Sequence, residues 1–325
     1  MDDTGDTEYN NTHRAFLQAF LARSTLTYEQ AKPILAAIFG AQEKRDYLVE
    51  DVTESDFIKY VTTINNAVSP YDLEIRSTFH QITRQRIYAL VNSTSDAITQ
   101  LATTHSADEI SFLKRVLDAI FETNNTRRHE VMAISSMQAV KLAKAPSDRR
   151  TSQNGAETQG SSGQGLTLVQ AEKMLKTVVE EGWFEKSRKG FYSLTPRALM
   201  ELRGWLMETY NDEDEDEEDR MIRIKQCYAC KEIITTGQRC PIRDCPCRLH
   251  DICTQRFFTT QKGKRCPVCK TEWTGRDFVG ERAAVDMKEK AKRRSSNGTS
   301  RPAQSFVEAE SDAAAGEAEV DDDDG

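Results

Sequence analysis

Residues 227–269 read CYACKEIITTGQRCPIRDCPCRLHDICTQRFFTTQKGKRCPVC, and this window holds all eight cysteines of a 325-residue chain. The donors fall as Cys227-x2-Cys230, then Cys240, Cys245 and Cys247, then His250-x2-Cys253, then Cys266-x2-Cys269. Two thiolates separated by two residues sit on one turn of backbone and present both sulfurs to one ion, so the window offers donors for two tetrahedral zinc ions. An even cysteine count also suits a disulfide framework. However, the first residues, MDDTGDTEYN, are acidic and polar, so no route to an oxidising compartment is expected. A window of about fifty residues with few large apolar side chains cannot hold itself folded by core burial. Two structural zinc ions are the expected cofactors, and their removal is expected to unfold the module.

Nine donors compete for eight places. Cys227, Cys230, His250, Cys253, Cys266 and Cys269 are assigned by spacing, and two of Cys240, Cys245 and Cys247 complete the set. Choosing Cys245 and Cys247 gives Cys-x-Cys-x2-His, close to ordinary RING fingers. Choosing Cys240 and Cys245 gives Cys-x4-Cys-x4-His, closer to PHD fingers, but a PHD finger carries a large aromatic where this chain has Lys264.

Upstream, two blocks share one order of elements. In the first, residues 9–92, Phe16, Leu17, Phe20 and Leu21 form an apolar stripe. Thr27-x-x-Gln30 resembles a capping box ahead of a second helix with Ile34, Leu35, Ile38 and Phe39. A third helix carries Phe57, Val61, Ile64 and Val68. Alternation then takes over, with Leu73, Ile75 and Phe79 on one strand and Ile87, Ala89 and Val91 on the next.

The second block, 105–210, opens with Ser106-x-x-Glu109 ahead of Ile110, Leu113, Val116, Leu117 and Ile120. A further helix is expected over Met132, Ser136, Ala139, Val140 and Leu142. Residues 146–165, rich in Ser, Gly, Gln and Asn, read as a disordered insert. A helix from Val169 to Glu181 follows, ended by Gly182. Strands at Trp183-Phe184 and Phe191–Leu194 come next, then a helix opened by Thr195-Pro196 and carrying Leu199, Leu202 and Leu206. Three helices and a hairpin make a winged helix. The third helix of each block mixes Lys59, or Lys173 and Lys176, with acids, and this suits protein docking better than base reading.

The formal net charge of -8 is unevenly distributed: residues 212–219 carry eight acids, and residues 306–325 carry nine, none offset by a base. Without those 17, the remaining 35 acids face 44 Lys and Arg. A basic body with acidic tethers is compatible with work near nucleic acid, and solvated linkers explain the acid runs equally well. The run Lys288, Lys290, Lys292, Arg293 and Arg294 has the composition of a nuclear localisation signal. The longest apolar stretches fall far short of a bilayer span, so no membrane partner is expected.

The sequence Gly237-Gln238-Arg239-Cys240, with Cys245, Arg248-Leu249-His250 and Cys266-Pro267-Val268-Cys269-Lys270-Thr271-Glu272-Trp273, closely resembles the variant RING of the non-SMC element 1 family. The tandem winged helices resemble the same family, so the likeness covers most of residues 9–275. The resemblance implies an α+β chain: winged helices at 9–92 and 105–210, an acidic linker at 211–219, a cross-braced two-zinc RING-like domain at 222–277, and a disordered acidic tail at 283–325.

The same resemblance puts Cys227, Cys230, His250 and Cys253 on zinc 1, and Cys240, Cys245, Cys266 and Cys269 on zinc 2, with Cys247 a spare thiol or alternate ligand. It implies a nuclear, chromatin-bound subunit of the SMC five/six complex in DNA repair and homologous recombination, with a MAGE-like partner and a kleisin. It also implies RING-type ubiquitin-protein ligase activity without a covalent intermediate. The conjugating enzyme would be met at Ala229, Pro267 and Lys270, aided by Phe257 and Phe258. Alanine at 229 offers little apolar contact, so weak intrinsic activity without the partner is expected. The competing expectation is a scaffold that docks partners or DNA through Arg239, Arg243, Arg248, Arg256, Lys262, Lys264 and Arg265.

Overall fold

The computed structural model describes residues 8–93, 104–144, 165–211, 221–261 and 263–285, all within one compact unit, Met1–Asp286. Most of the expected insert, the acidic linker past Asn211, Lys262, the basic run and the tail from Asp286 lie outside the described residues. Among the described residues, no helix is long and apolar enough to cross a membrane.

The first part is built as α1 (Asn11–Ala22), β1 (Leu26–Thr27), α2 (Tyr28–Glu43), α3 (Glu54–Val68), β2 (Leu73–Phe79) and β3 (Arg86–Asn92). Capping boxes start all three helices: Asn10 with His13, Thr27 with Gln30, and Thr53 with Asp56. The strands form an antiparallel sheet in the order β1-β3-β2, with Leu26 opposite Tyr88 and Ile75 opposite Leu90. Phe16, Phe20, Leu35, Phe57 and Ile64 fill the core beneath it.

The second part repeats the order as α4 (Ala107–Asp118), β4 (Ile134–Ser135), α5 (Ser136–Lys141), α6 (Leu168–Glu180), β5 (Phe184–Lys186) and β6 (Phe191–Leu194), followed by α7 (Pro196–Glu201) and α8 (Arg203–Tyr210). Its sheet runs β4-β6-β5. Gly182 adopts φ +81° just past α6, where a Cβ would overlap Ser24 of the first part.

Three sequence expectations are corrected. Leu21 is 60% exposed rather than part of the α1 stripe. Met132 does not belong to a helix; it takes φ +48°, and α5 begins only where the Ser135–Gln138 capping box allows it. Phe79 is 52% exposed, although Ile75, two pairs along the same strand face, is buried.

The face of β3 bearing Ala89 and Val91 is buried, but not in its own core: it packs on Met200 of α7, while Tyr88 and Leu90 face the first core. The tip of the first hairpin reaches the cysteine-rich region. The Gln81 amide nitrogen donates to the Ile233 carbonyl at 3.1 Å, and its oxygen accepts from Thr235 and Thr236 N–H at 3.0 and 2.9 Å. Cutting Gln81→Ala leaves those backbone groups without partners. The expected cost is about 1–3 kcal/mol of stability, read from the midpoint of urea unfolding.

The third part carries β7 (Gly237–Arg239), β8 (Arg248–Leu249), α9 (Asp251–Thr260) and β9 (Phe278–Val279), with sheet order β8-β7-β9. It shares a core with the second part, since Ile224, Ile233 and Val279 join the cluster around Phe112, Ile120 and Leu175. Ordered chain runs past residue 277: residues 281–285 are helical, and Ala283 packs with Phe191 and Val131.

Candidate metal centre

Two nearly identical knuckles set the first and last cysteine pairs. At the first, Cys227 N–H donates to the Glu232 carbonyl (2.8 Å), Lys231 N–H donates to the Cys227 carbonyl (2.9 Å), and Lys231 takes φ +62°. At the second, Cys266 N–H donates to Thr271 (2.8 Å), Lys270 N–H donates to Cys266 (3.0 Å), and Lys270 takes φ +62°. The left-handed lysine turns each chain back so that both sulfurs of a pair face inward. A non-glycine residue in that region costs about 1–2 kcal/mol, and the knuckle's hydrogen bonds offset it. His250 lies directly before α9 and Cys253 lies in its first turn, where the helix N-terminus favours a thiolate. Gly237 lets β7 approach this point, since a Cβ there would overlap the Leu249 carbonyl and lie 3.0 Å from His250 Cα.

These elements gather two groups of donors. The ligand atoms of Cys227, Cys230, His250 and Cys253 all lie within 4.8 Å of one another, as do those of Cys240, Cys245, Cys266 and Cys269. The groups alternate along the chain, first and third pairs together, second and fourth together. Cys247 belongs to neither, and burial pushes its thiol well above the usual range.

The donor sets fit zinc. All eight cysteines are free thiols. Cys240 and Cys269 sulfurs stand 3.4 Å apart, and Cys245 and Cys266 stand 3.6 Å apart. A disulfide needs about 2.05 Å, whereas two sulfurs each about 2.3 Å from a tetrahedral zinc are about 3.8 Å apart. His250 Nδ1 faces Cys230 Sγ at 3.3 Å and Cys253 Sγ at 3.9 Å. Burial lowers the His250 pKa, but the Cys227 and Cys230 sulfurs outweigh it and hold the ring up at about 9. The Thr271 hydroxyl beside Cys269 Sγ (3.4 Å) holds that thiol down to about 6. Two zinc ions match the chain's donors, and with four protein donors apiece, neither site leaves a position for substrate.

A row of aromatic rings links the two sites. Tyr228 meets Phe257 at 5.8 Å, Phe257 meets Phe258 at 5.4 Å, and Phe258 meets Trp273 at 5.5 Å. Trp273 is buried and donates its indole N–H to Gln238 at 2.9 Å. Phe257 and Phe258 are half-buried against the thiols, so they serve chiefly as packing. Ala229 and Lys270 are exposed and Pro267 is half-buried, with Lys270 Nζ donating to the Pro267 carbonyl at 2.8 Å. Tyr228 and Val268, which the sequence reading passed over, are 40% and 45% exposed beside them in the knuckles.

Two of the cations assigned to docking are not on the surface. Arg248 is 1% exposed and grips Glu130 with Nε and Nη2, both at 2.6 Å, while Arg239 lies 3.5 Å from the same carboxylate. Lys225 Nζ joins them at 2.8 Å. Burial alone would raise the Glu130 pKa, but Arg248, then Lys225 and Arg239, hold it at about 2. Arg248 also donates to the Cys245 and Cys247 carbonyls, so one buried acid of the second part braces the chain beside both metal groups. Nothing in the sequence around Glu130 signals this. Arg243, Arg256, Lys264 and Arg265 are exposed, and Lys262, Lys288, Lys290, Lys292, Arg293 and Arg294 lie outside the described residues.

Comparison with known proteins agrees with this arrangement. Residues 227–269 match the profile of a RING-like domain. Curated relatives include the non-structural maintenance of chromosomes element 1 homologs of Homo sapiens, 21% identical over 81% of this chain and 84% of theirs, and of Bos taurus, 22% identical over the same shares. Among solved structures, a chain of an Nse1-Nse3-Nse4 complex superposes with a TM-score of 0.61 at 22% identity, covering 84% of this chain and 99% of that one. Residues 13–202, more than half of the chain, match the family described as Nse1 non-SMC component of SMC5-6 complex. The chain belongs to the Nse1 family.

Proposed function

We propose that this chain is the RING-type ubiquitin ligase subunit of an SMC5-6 complex, acting in DNA repair and recombination in the nucleus. The observation that carries the reading is the interleaving of the two donor groups, the cross-brace of a RING, beside exposed Tyr228, Ala229, Val268 and Lys270. Cys227, Cys230, His250 and Cys253 ligate zinc 1; Cys240, Cys245, Cys266 and Cys269 ligate zinc 2; Cys247 is a spare thiol. Residues 9–92 and 105–210 are two winged helices, a reading supported by their shared order of helix, short strand, two helices and hairpin. The related complex with Nse3 and Nse4 supports a MAGE-like Nse3 and a kleisin Nse4 as partners of this chain.

A RING ligase supplies no nucleophile. Zinc holds the two knuckles in place, and the knuckles present a surface to the conjugating enzyme. The gain in rate comes from holding the thioester-linked ubiquitin and the acceptor amine in a reactive pose. Tyr228, Ala229, Pro267 and Val268 form the apolar contact, and Lys270 supplies the cation. The test is ubiquitin transfer by the zinc-loaded chain, alone and with its MAGE-like partner, across several conjugating enzymes. Lys270→Asn keeps a residue that tolerates the left-handed turn and removes the charge. It is expected to lower transfer about tenfold, roughly 1.4 kcal/mol of transition-state stabilisation, with zinc content unchanged.

Two observations favour the scaffold reading. Ala229 is small, and the Lys270 ammonium is already bonded to the Pro267 carbonyl. Tight partner binding with full zinc and no transfer by any conjugating enzyme would decide for it.

A further inference from the structure

A cavity of about 450 Å³ opens where the first hairpin, α7 and the zinc module meet. That volume lies within the range of about 300–1,000 Å³ usual for ligand pockets. Guanidiniums outnumber carboxylates in its lining. Arg84, Arg86 and Arg256 all line it, and none has a carboxylate partner among the described residues. Arg84 donates to the Gln255 side chain, and Arg86 lies over the Phe79 and Tyr88 rings at 5.5 and 5.9 Å. The one acid in the lining, Glu232, already pairs with Arg203 at 2.8 Å.

Two further features narrow the ligand. Cys230, His250 and Cys253 also line the cavity, so the first donor group closes one end of it. Phe79, exposed against its strand pattern, lines the space with Leu199, Met200 and Ile252. The cavity thus combines guanidiniums that have no carboxylate partner with an apolar wall.

From this combination we infer that the cavity is a docking site for an acidic peptide segment of a partner protein. An apolar side chain of the segment packs on Phe79, Leu199 and Ile252, and a neighbouring carboxylate sits among Arg84, Arg86 and Arg256, where charge-assisted pairs are strongest. A nucleic-acid backbone is the poorer match, because phosphates are held along a basic groove or stripe, not in a concave apolar space. Arg84 and Arg86 belong to the first hairpin and Arg256 to α9, so the bound carboxylate ties the first part to the zinc module. The inference does not depend on ligase activity.

The test uses the zinc-loaded full chain, with arginine Nε–H signals followed by nitrogen-15 NMR. The probes are 5-phenylpentanoate, its neutral amide, a peptide of alternating Leu and Glu, and a DNA oligonucleotide. The carboxylate is expected to move the Arg84, Arg86 and Arg256 signals saturably, with a Kd of about 1 mM for so small a probe. The amide is expected to bind at least about tenfold more weakly, and the peptide to shift the same signals at lower concentration. Thr78 lines the cavity from the face of β2 turned to α7, so Thr78→Trp should fill the space and abolish these shifts with zinc content unchanged. Arg256→Ser should weaken binding about tenfold. Equal binding of acid and amide, no saturable shift with either acidic probe, or wild-type binding by Thr78→Trp would each overturn the inference. Movement of the same guanidiniums by DNA alone would overturn it in favour of a nucleic-acid site.

Discussion

Stripping zinc with a chelator is expected to unfold the chain from about residue 222 to 279 and to lower the cooperativity of what remains. Structural zinc contributes on the order of 10–16 kcal/mol to small modules of this kind, more than the stability of a typical domain. The effect reaches beyond the module, because Ile233 and Val279 are buried in the same core as Leu175 and Phe112. Metal analysis should give two zinc ions per chain. Cys266→Ser should lose at least one of them, with a collapse of the near-ultraviolet signal from Trp273. Cys247→Ser should keep both, because its sulfur lies outside the two donor groups. Loss of zinc from Cys247→Ser with retention in Cys240→Ser would reverse the assignment at the second site.

The second large effect is expected at Glu130. Glu130→Ala leaves Arg248, Arg239 and Lys225 buried around an empty place. Removing one partner of a buried ion pair costs about 3–5 kcal/mol. In a unit of this size that corresponds to a fall of roughly 10 °C in Tm, measurable by calorimetry. The cluster itself is not a strong net stabiliser: burial pushes the pKa of Lys225 and of Arg239 down, and three cations crowd one acid. Its value lies in geometry, since it fixes the chain flanking Cys240 and His250 against the second part.

Glu130 also predicts a pH dependence. Its carboxyl is held at about 2 in the folded chain against an ordinary 4.5, so its contribution is complete above pH 4.5 and is lost as the pH falls toward 2. The shift corresponds to roughly 3 kcal/mol. Glu130→Gln should abolish that part of the acid dependence, and an unchanged acid limb would remove Glu130 from the account.

Much of the site was legible because zinc chemistry is local. Cys-x2-Cys on one turn of backbone must present two sulfurs together, and His250-x2-Cys253 at the start of a helix must do the same. Helix starts were legible for a similar reason: Thr27 and Gln30, or Ser106 and Glu109, satisfy backbone donors three residues apart. The failures share a cause as well. Phe79 and Leu21 have apolar side chains at periodic positions, and periodicity cannot say whether another element covers that face. Ala89 and Val91 were read as apolar, yet only the packing of α7 shows that the second part covers them.

The sequence alone thus determined the nine candidate donors and the repeated order of helices and hairpins, because each rests on residues a few positions apart. Spacing alone left open which pairs meet, and only the tertiary structure gathered the donors into two groups with Cys247 outside both and buried Arg239 and Arg248 on Glu130 rather than facing solvent. It alone brought Arg84, Arg86 and Arg256 to one cavity. The contacts to Glu130 and the meeting at the cavity join residues more than a hundred positions apart, and the donor groups join pairs about twenty apart; burial and charge pairing in the folded chain set them, not any local pattern.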